Sequence, residues 1–103
     1  MNEHIVQSYI DNITQHYGVS EKEIFNKEIT TKKGTEPRQL LFYLCHRKGI
    51  PIVIFKDILK NRNGCELHTS TISQSIRKMT ERIEGDEDYE VLIKKLMKVS
   101  TYV

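Results

Sequence analysis

The 103-residue chain contains one segment, residues 51–83, on which its fold depends: PIVIFKDILK NRNGCELHTS TISQSIRKMT ERI. The run Ile50 to Phe55 is rich in β-branched residues, which is also typical of a buried strand. We predict a helix over 51–60, because Pro51 suits a first helical turn and the chain offers no second convincing strand to pair with this one. An apolar stripe with spacings of four and one supports the helix: Ile54, Ile58 and Leu59. The following Asn61–Gly64 has the composition of a turn.

A second helix is predicted directly after that turn, from about Thr69 to Ile83. Its apolar residues recur at spacings of four, three and four, which places them on one narrow face: Ile72, Ile76, Met79 and Ile83. The opposite face carries hydrogen-bonding and cationic side chains: Ser70, Gln74, Arg77 and Lys78. Two helices joined by a Gly-containing turn, the second starting with small hydroxyl residues, have the order of a helix-turn-helix. A merely solvated helix face is the alternative explanation.

The residues at the start of the chain predict two further helices. The first helix carries an apolar stripe that ends before Gly18, a residue able to adopt the left-handed conformation. Its members are Val6, Tyr9, Ile10, Ile13 and Tyr17. Ser20 and Glu23 then have the spacing of a capping box, which predicts that a short second helix starts at once.

A third helix is predicted after a polar loop that spans residues 26–34. Thr35 is expected to be its N-cap, with Pro37 and Arg38 in the first turn. An Arg at that place is electrostatically unfavourable, because the helix dipole is already positive there. Residues 40–45 are apolar around most of a helix circumference, so we expect this helix to be central and buried.

A last helix is predicted with Asp86 as its N-cap and with Val91, Leu92 and Leu96 facing the core. The sequence therefore predicts an all-α fold, a compact bundle of about six helices that forms a single domain over residues 1–103. The expected core includes Ile10, Ile13, Leu41, Leu44, Ile58, Ile72, Ile76 and Leu92.

Composition and charge restrict the class of protein. The chain has 38% hydrophobic and 29% charged residues, which is a globular balance. No apolar run approaches the roughly 20 residues of a membrane helix, and the N-terminus lacks a signal-peptide pattern, so we expect no membrane partner and a cytoplasmic location. Residues 31–82 carry eleven Lys and Arg against four acids, whereas both flanking segments are acidic. This concentration of positive charge favours attraction to a polyanion.

Two segments resemble one protein family. Residues 38–44, RQLLFYL, resemble the Arg-Gln-x-x-x-Tyr-Leu helix of the C-terminal DNA-binding domain of the bacterial replication initiator DnaA. Residues 70–72 with 77–79, STI and RKM, resemble its recognition helix, and the order of predicted elements agrees over residues 5–98. The resemblance implies a fold like that of the Trp repressor and sequence-specific binding of double-stranded DNA at the nucleoid. It also implies a role in replication initiation or its control, with a mobile element as one setting.

The resemblance also implies roles for individual residues. In that family the Arg before Gln enters the minor groove, which here is Arg38, and the start of the recognition helix contacts bases and phosphates. The expected DNA-contacting residues are Lys32, Lys33, Arg38, His68, Thr69, Ser70, Thr71, Gln74, Arg77 and Lys78. On this interpretation, changing Arg38 to Ala weakens duplex binding by about 1–3 kcal/mol and costs little folding stability.

The chain departs from the family pattern in ways that affect function. The family motif Asp-His-Thr/Ser-Thr-Val stands here as His-Thr-Ser-Thr-Ile at residues 68–72, and about four extra residues separate Tyr43 from Ile72. Recognition of the usual initiator site therefore does not follow. The phosphate-binding pattern Gly-x-x-x-x-Gly-Lys-Ser/Thr does not occur, so a stand-alone DnaA-like protein and a fragment of a longer protein both fit.

Other chemistry has weaker support in the sequence. Cys65 and His68 have a ligand-like spacing and Cys45 and His46 offer two more donors, but Cys45 lies in an apolar run, so we expect no metal and no other cofactor. The spacing suggests neither a nucleophile with its base nor paired carboxylates, so we expect no enzyme and no small-molecule substrate. Replication proteins are a second class of partner, because a domain that kept this fold but lost DNA reading would act as an adaptor.

Overall fold

The computed structural model describes residues 2–26 and 32–98, apart from the side chains of residues 32–34 and 63. These ranges contain six helices and no strand, which confirms the predicted all-α bundle. The helices are α1 (Asn2–Tyr17), α2 (Glu21–Phe25), α3 (Lys32–Lys48), α4 (Ile52–Asn63), α5 (Thr69–Glu84) and α6 (Glu87–Leu96). None of the helices in the described ranges is long and apolar enough to cross a membrane.

One hydrophobic core draws residues from all six helices, with α3 at its centre. Leu40, Leu41, Leu44 and Cys45 of α3 are fully buried, and α3 contacts α1, α2, α4 and α5. Of the eight expected core residues, seven are buried, and Leu92 is partly buried against the same cluster. The helical phases that the apolar spacing predicted are therefore confirmed for most of the chain.

The residues predicted to cap the helix ends also form the expected hydrogen bonds and backbone conformations. The Glu23 backbone N–H donates to Ser20 Oγ over 3.1 Å and the Ser20 N–H donates to Glu23 Oε1 over 3.2 Å, which forms the capping box of α2. Gly18 follows α1 with a φ of 65°. The Asp86 carboxylate caps α6 by accepting from the Asp88 N–H over 3.0 Å.

The start of the third helix differs from the prediction. The helix α3 begins at Lys32, so residues 32–34 are helical rather than part of a loop, and Thr35 is not the N-cap. Pro37 lies inside the helix, and Arg38 follows it in the second turn. Apolar periodicity missed this start, because residues 32–36 contain no hydrophobic residue. The rest of the predicted loop, residues 27–31, lies outside the described residues.

Two other helices differ from the prediction in length or phase. The helix α4 continues to Asn63 instead of ending at residue 60. Ile54, expected in the apolar stripe, is 42% exposed while Phe55 is buried, and Val91 is 72% exposed while Ile93 is buried. Adjacent apolar residues in a short helix fit more than one phase, and contact with the rest of the core decides between them.

Candidate nucleic-acid interface

The connection between α4 and α5 is fixed by backbone hydrogen bonds. Gly64 has a φ of 65°, and its N–H donates to the Lys60 carbonyl over 3.1 Å. The next residue, Cys65, donates its N–H to the Leu59 carbonyl over 3.2 Å and buries its side chain. This arrangement is a Schellman-type C-cap, which closes the last turn of α4. The start of α5 is therefore held at a defined place relative to α4.

The helix α5 separates its residues onto two faces. Ile72, Ile76, Met79 and Ile83 are buried in the core, as the spacing predicted. The seven residues in this part of the chain that the sequence assigned to DNA are exposed: His68, Thr69, Ser70, Thr71, Gln74, Arg77 and Lys78. Ser73, which was not among the expected contacts, is exposed as well. Residues 68–78 contain no acid, so this face presents only hydrogen-bonding and cationic groups.

The start of α5 lacks a side-chain cap, unlike the starts of α2 and α6. His68 occupies the N-cap position but makes no capping hydrogen bond, and the first turn contains no acidic residue. The first N–H groups of a helix have no partner inside the helix and carry a partial positive charge. An exposed helix start of this kind attracts anionic oxygen atoms.

Two lysines of α4 add positive charge beside the start of α5. Lys56 Nζ donates to Thr69 Oγ1 over 3.4 Å, which links the two helices. Lys60 Nζ lies 3.3 Å from Glu66 Oε1 in an exposed ion pair. A surface depression of about 400 Å³ lies between the helices, lined by Lys56, Lys60, Glu66, Leu67, His68 and Thr71. The apolar spacing that located α4 carried no signal for these two lysines, because their place depends on how α4 packs against α5.

Arg38 lies on α3 and is held against α2. Its Nη1 donates hydrogen bonds to the carbonyl oxygen atoms of Ile24 over 3.1 Å and of Asn26 over 3.0 Å. Carbonyls at the end of a helix lack partners within that helix, and Arg38 supplies donors to two of them at the end of α2. This structural contact was not expected from the sequence. The side chains of Lys32 and Lys33 lie outside the described residues.

A carboxylate at the junction of three helices positions the far end of α5. Glu36 Oε1, on α3, accepts from Arg82 Nη1 of α5 over 2.8 Å and from the Tyr89 hydroxyl of α6 over 2.7 Å. Tyr17 of α1 lies nearby, and burial followed by the charge of Glu36 raises its pKa above the ordinary value of 10.0. The helix α5 is therefore linked to α4 through Lys56 at its start and to α3 and α6 through Glu36 at its end.

The cysteines and histidines do not form a metal cluster in the described residues. Cys45 is buried in α3, where burial raises the pKa of its thiol to about 12, while the adjacent His46 is exposed. A thiolate is the form that ligates zinc, and this environment disfavours it.

Comparisons of the chain with protein-family models, with curated proteins and with solved structures found no match.

Proposed function

We propose that this chain binds double-stranded DNA, with α5 inserted in the major groove and α4 lying along the phosphate backbone. The observation that carries the proposal is the exposed, acid-free face of α5 that extends from His68 to Lys78. A helix that reads a groove needs such a face, because base edges and phosphates offer hydrogen-bonding atoms and negative charge. The resemblance to the DnaA C-terminal domain supports the same assignment.

Within this proposal, the two ends of the face have different tasks. The hydroxyl groups of Thr69, Ser70 and Thr71, with the uncapped N–H groups of the first turn, bind phosphate oxygen atoms and nearby base edges. Gln74 and Arg77 lie one and two turns further along, and both side-chain types form paired hydrogen bonds with purine edges in the major groove. The lysines Lys56 and Lys60 supply attraction that does not depend on sequence.

The resemblance assigns the minor groove to Arg38. Both of its hydrogen bonds to the end of α2 come from Nη1. A guanidinium has five N–H donors, and within the described residues Nε and Nη2 of Arg38 donate no hydrogen bond, so both can reach a base. A narrow A·T-rich groove would attract this cation, because its negative potential is enhanced. The same resemblance assigns the process to replication initiation or its control, in the cytoplasm at the nucleoid.

Two double variants test the proposed face. Arg77→Ala with Lys78→Ala removes two exposed cations from α5, whereas Lys94→Ala with Lys95→Ala removes two exposed cations from α6. We expect the first pair to weaken binding of a fluorescently labelled duplex. The plot of log Kobs against log salt concentration should also become less steep, by about 0.9 for each phosphate that the variant no longer neutralises. The control pair should keep the wild-type slope. Equal effects of the two pairs, or no binding by the wild type, would contradict the proposal.

A second experiment tests base reading. Duplexes selected from a random pool by the wild type define a preferred site. At one base pair of that site, Gln74→Ala should lose about 1–3 kcal/mol of the preference for the selected base over the other bases. Gln15→Ala, an exposed glutamine on α1, is the matched control. If both variants keep the same base preference, Gln74 does not read a base.

A protein-interaction adaptor of replication proteins is the second candidate function. The exposed apolar residues Val53 and Ile54 on α4 favour it, because transferring apolar side chains from water into a protein interface is favourable. Salt separates the two functions. DNA binding weakens steeply as salt rises, whereas an apolar protein interface does not. A chain that fails to bind any duplex at low salt but retains a replication protein at high salt would be an adaptor.

A further inference from the structure

The surface depression between α4 and α5 contains two lysines whose partners differ in charge. Lys56 Nζ donates to the neutral hydroxyl of Thr69 over 3.4 Å, whereas Lys60 Nζ lies 3.3 Å from the Glu66 carboxylate. Both lysines line the depression together with Glu66. The Thr69 hydroxyl leaves the positive charge of Lys56 in place, but the Glu66 carboxylate offsets that of Lys60.

Glu66 lies within the surface that the proposed function assigns to DNA. Of the described residues that line the depression, Glu66 alone is acidic, and two of its companions there, His68 and Thr71, are expected DNA contacts. In the sequence Glu66 comes two residues before the acid-free stretch 68–78. A carboxylate at this place repels the phosphates that the neighbouring lysines attract.

The ion pair between Lys60 and Glu66 can open without disturbing the fold. The Lys60 side chain is 55% exposed and the Glu66 side chain is 71% exposed, and exposed pairs contribute little to folding stability. The connection that carries Glu66 is held independently, by the backbone hydrogen bonds of Gly64 and Cys65 to the end of α4. A phosphate of the DNA backbone can therefore take the place of Glu66 beside Lys60.

We infer that Glu66 competes with the DNA backbone for Lys60 and so lowers the affinity of the chain for every duplex. This inference rests on the proposed DNA binding. Part of the attraction that Lys60 supplies is lost, because the ion pair must open and the released carboxylate still faces the phosphates. Phosphate contacts carry no direct sequence information, so the reduction is the same for a selected site and for an unrelated duplex.

Glu66→Gln tests the inference, because it removes the negative charge and keeps the size of the side chain. We expect this variant to bind a labelled duplex several-fold more tightly than the wild type at low salt. If the released Lys60 neutralises one further phosphate, the plot of log Kobs against log salt concentration becomes steeper by about 0.9. The advantage over the wild type then falls by roughly threefold between about 50 and about 200 mM salt. Glu87→Gln, which removes one exposed acid from α6, is the matched control and should keep the wild-type slope.

A second background tests whether Glu66 acts through Lys60. In a chain that already carries Lys60→Ala, Glu66→Gln should gain much less affinity than it gains in the wild type. An equal gain in both backgrounds, or no gain in the wild type, would overturn the inference and leave the proposed DNA binding in place. A gain confined to one base pair of a selected site would also overturn it, since Glu66 would then act on a base edge. If none of these chains bound a duplex, the proposed function would fail and the inference with it.

Discussion

Changing Arg38 to Ala should destabilise the folded chain, in contrast to the small effect that the sequence suggested. The substitution removes two hydrogen bonds from a charged donor to carbonyl oxygen atoms, a part-buried one to Ile24 and an exposed one to Asn26. A hydrogen bond to a charged group contributes about 1.5–3 kcal/mol when it is shielded from water, and less when it is exposed. We therefore expect the free energy of unfolding to fall by about 1–3 kcal/mol.

Urea denaturation followed by circular dichroism measures this loss directly, and a thermal melt should show a Tm lower by roughly 4–8 °C for each kcal/mol. Arg38→Lys is the matched control, because it keeps the positive charge and one donor group at the end of α2 and should lose less stability. Duplex affinity is then measured well below the melting temperature of each variant. A further loss of about 1–3 kcal/mol in affinity would reflect a base contact.

The two measurements separate the two roles of Arg38. An Arg38→Ala chain as stable as the wild type would refute the structural reasoning, since the carbonyls of Ile24 and Asn26 would then need no partner. A fully folded variant with unchanged duplex affinity would instead remove the minor-groove role and leave the α5 face to carry the proposed function.

Three other predictions rest on burial and backbone geometry. Gly64→Ala should cost about 1 kcal/mol of stability in urea denaturation, because Gly64 has a φ of 65°. Gly85→Ala should be nearly neutral, because its φ is −89° and the atoms nearest to the added Cβ, two backbone oxygens, lie at an ordinary contact distance of 3.8 Å; equal losses would contradict this. Met79→Ala should cost about 2–5 kcal/mol, because Met79 is fully buried, and the exposed neighbour Lys78→Ala should change stability by less than about 0.5 kcal/mol. Burial raises the pKa of the Cys45 thiol from 9.0 to about 12, so the folded state holds this proton more tightly and stability falls as the pH rises from about 9 towards 12. Cys45→Ala should reduce this loss of stability with rising pH. If urea denaturation at a series of alkaline pH values shows the same loss in the variant, groups other than Cys45 cause it.

Features that depend on residues three or four apart could be predicted from the amino-acid order alone. The capping box of Ser20 and Glu23 and the four buried residues of α5 are visible in the sequence, because helical geometry brings such residues together. The same reasoning placed α4 in a helix, although a β-branched run also fits a strand. The polar face of α5 followed as the complement of its apolar face.

Contacts between distant residues, in contrast, required the packed helices. Arg38 reaches Ile24, Lys56 reaches Thr69, and Glu36 meets Arg82 and Tyr89 from other helices. The apolar spacing in the sequence does not predict these pairs, because the distances between them depend on how the helices pack around the core.

Packing likewise decided the phase of α6, where Ile93 rather than Val91 is buried. A short helix with adjacent apolar residues has several amphipathic phases of similar energy, so burial against the other helices determines the result. The start of α3 at Lys32 was missed for a different reason, because residues 32–36 contain no hydrophobic residue that could mark a stripe.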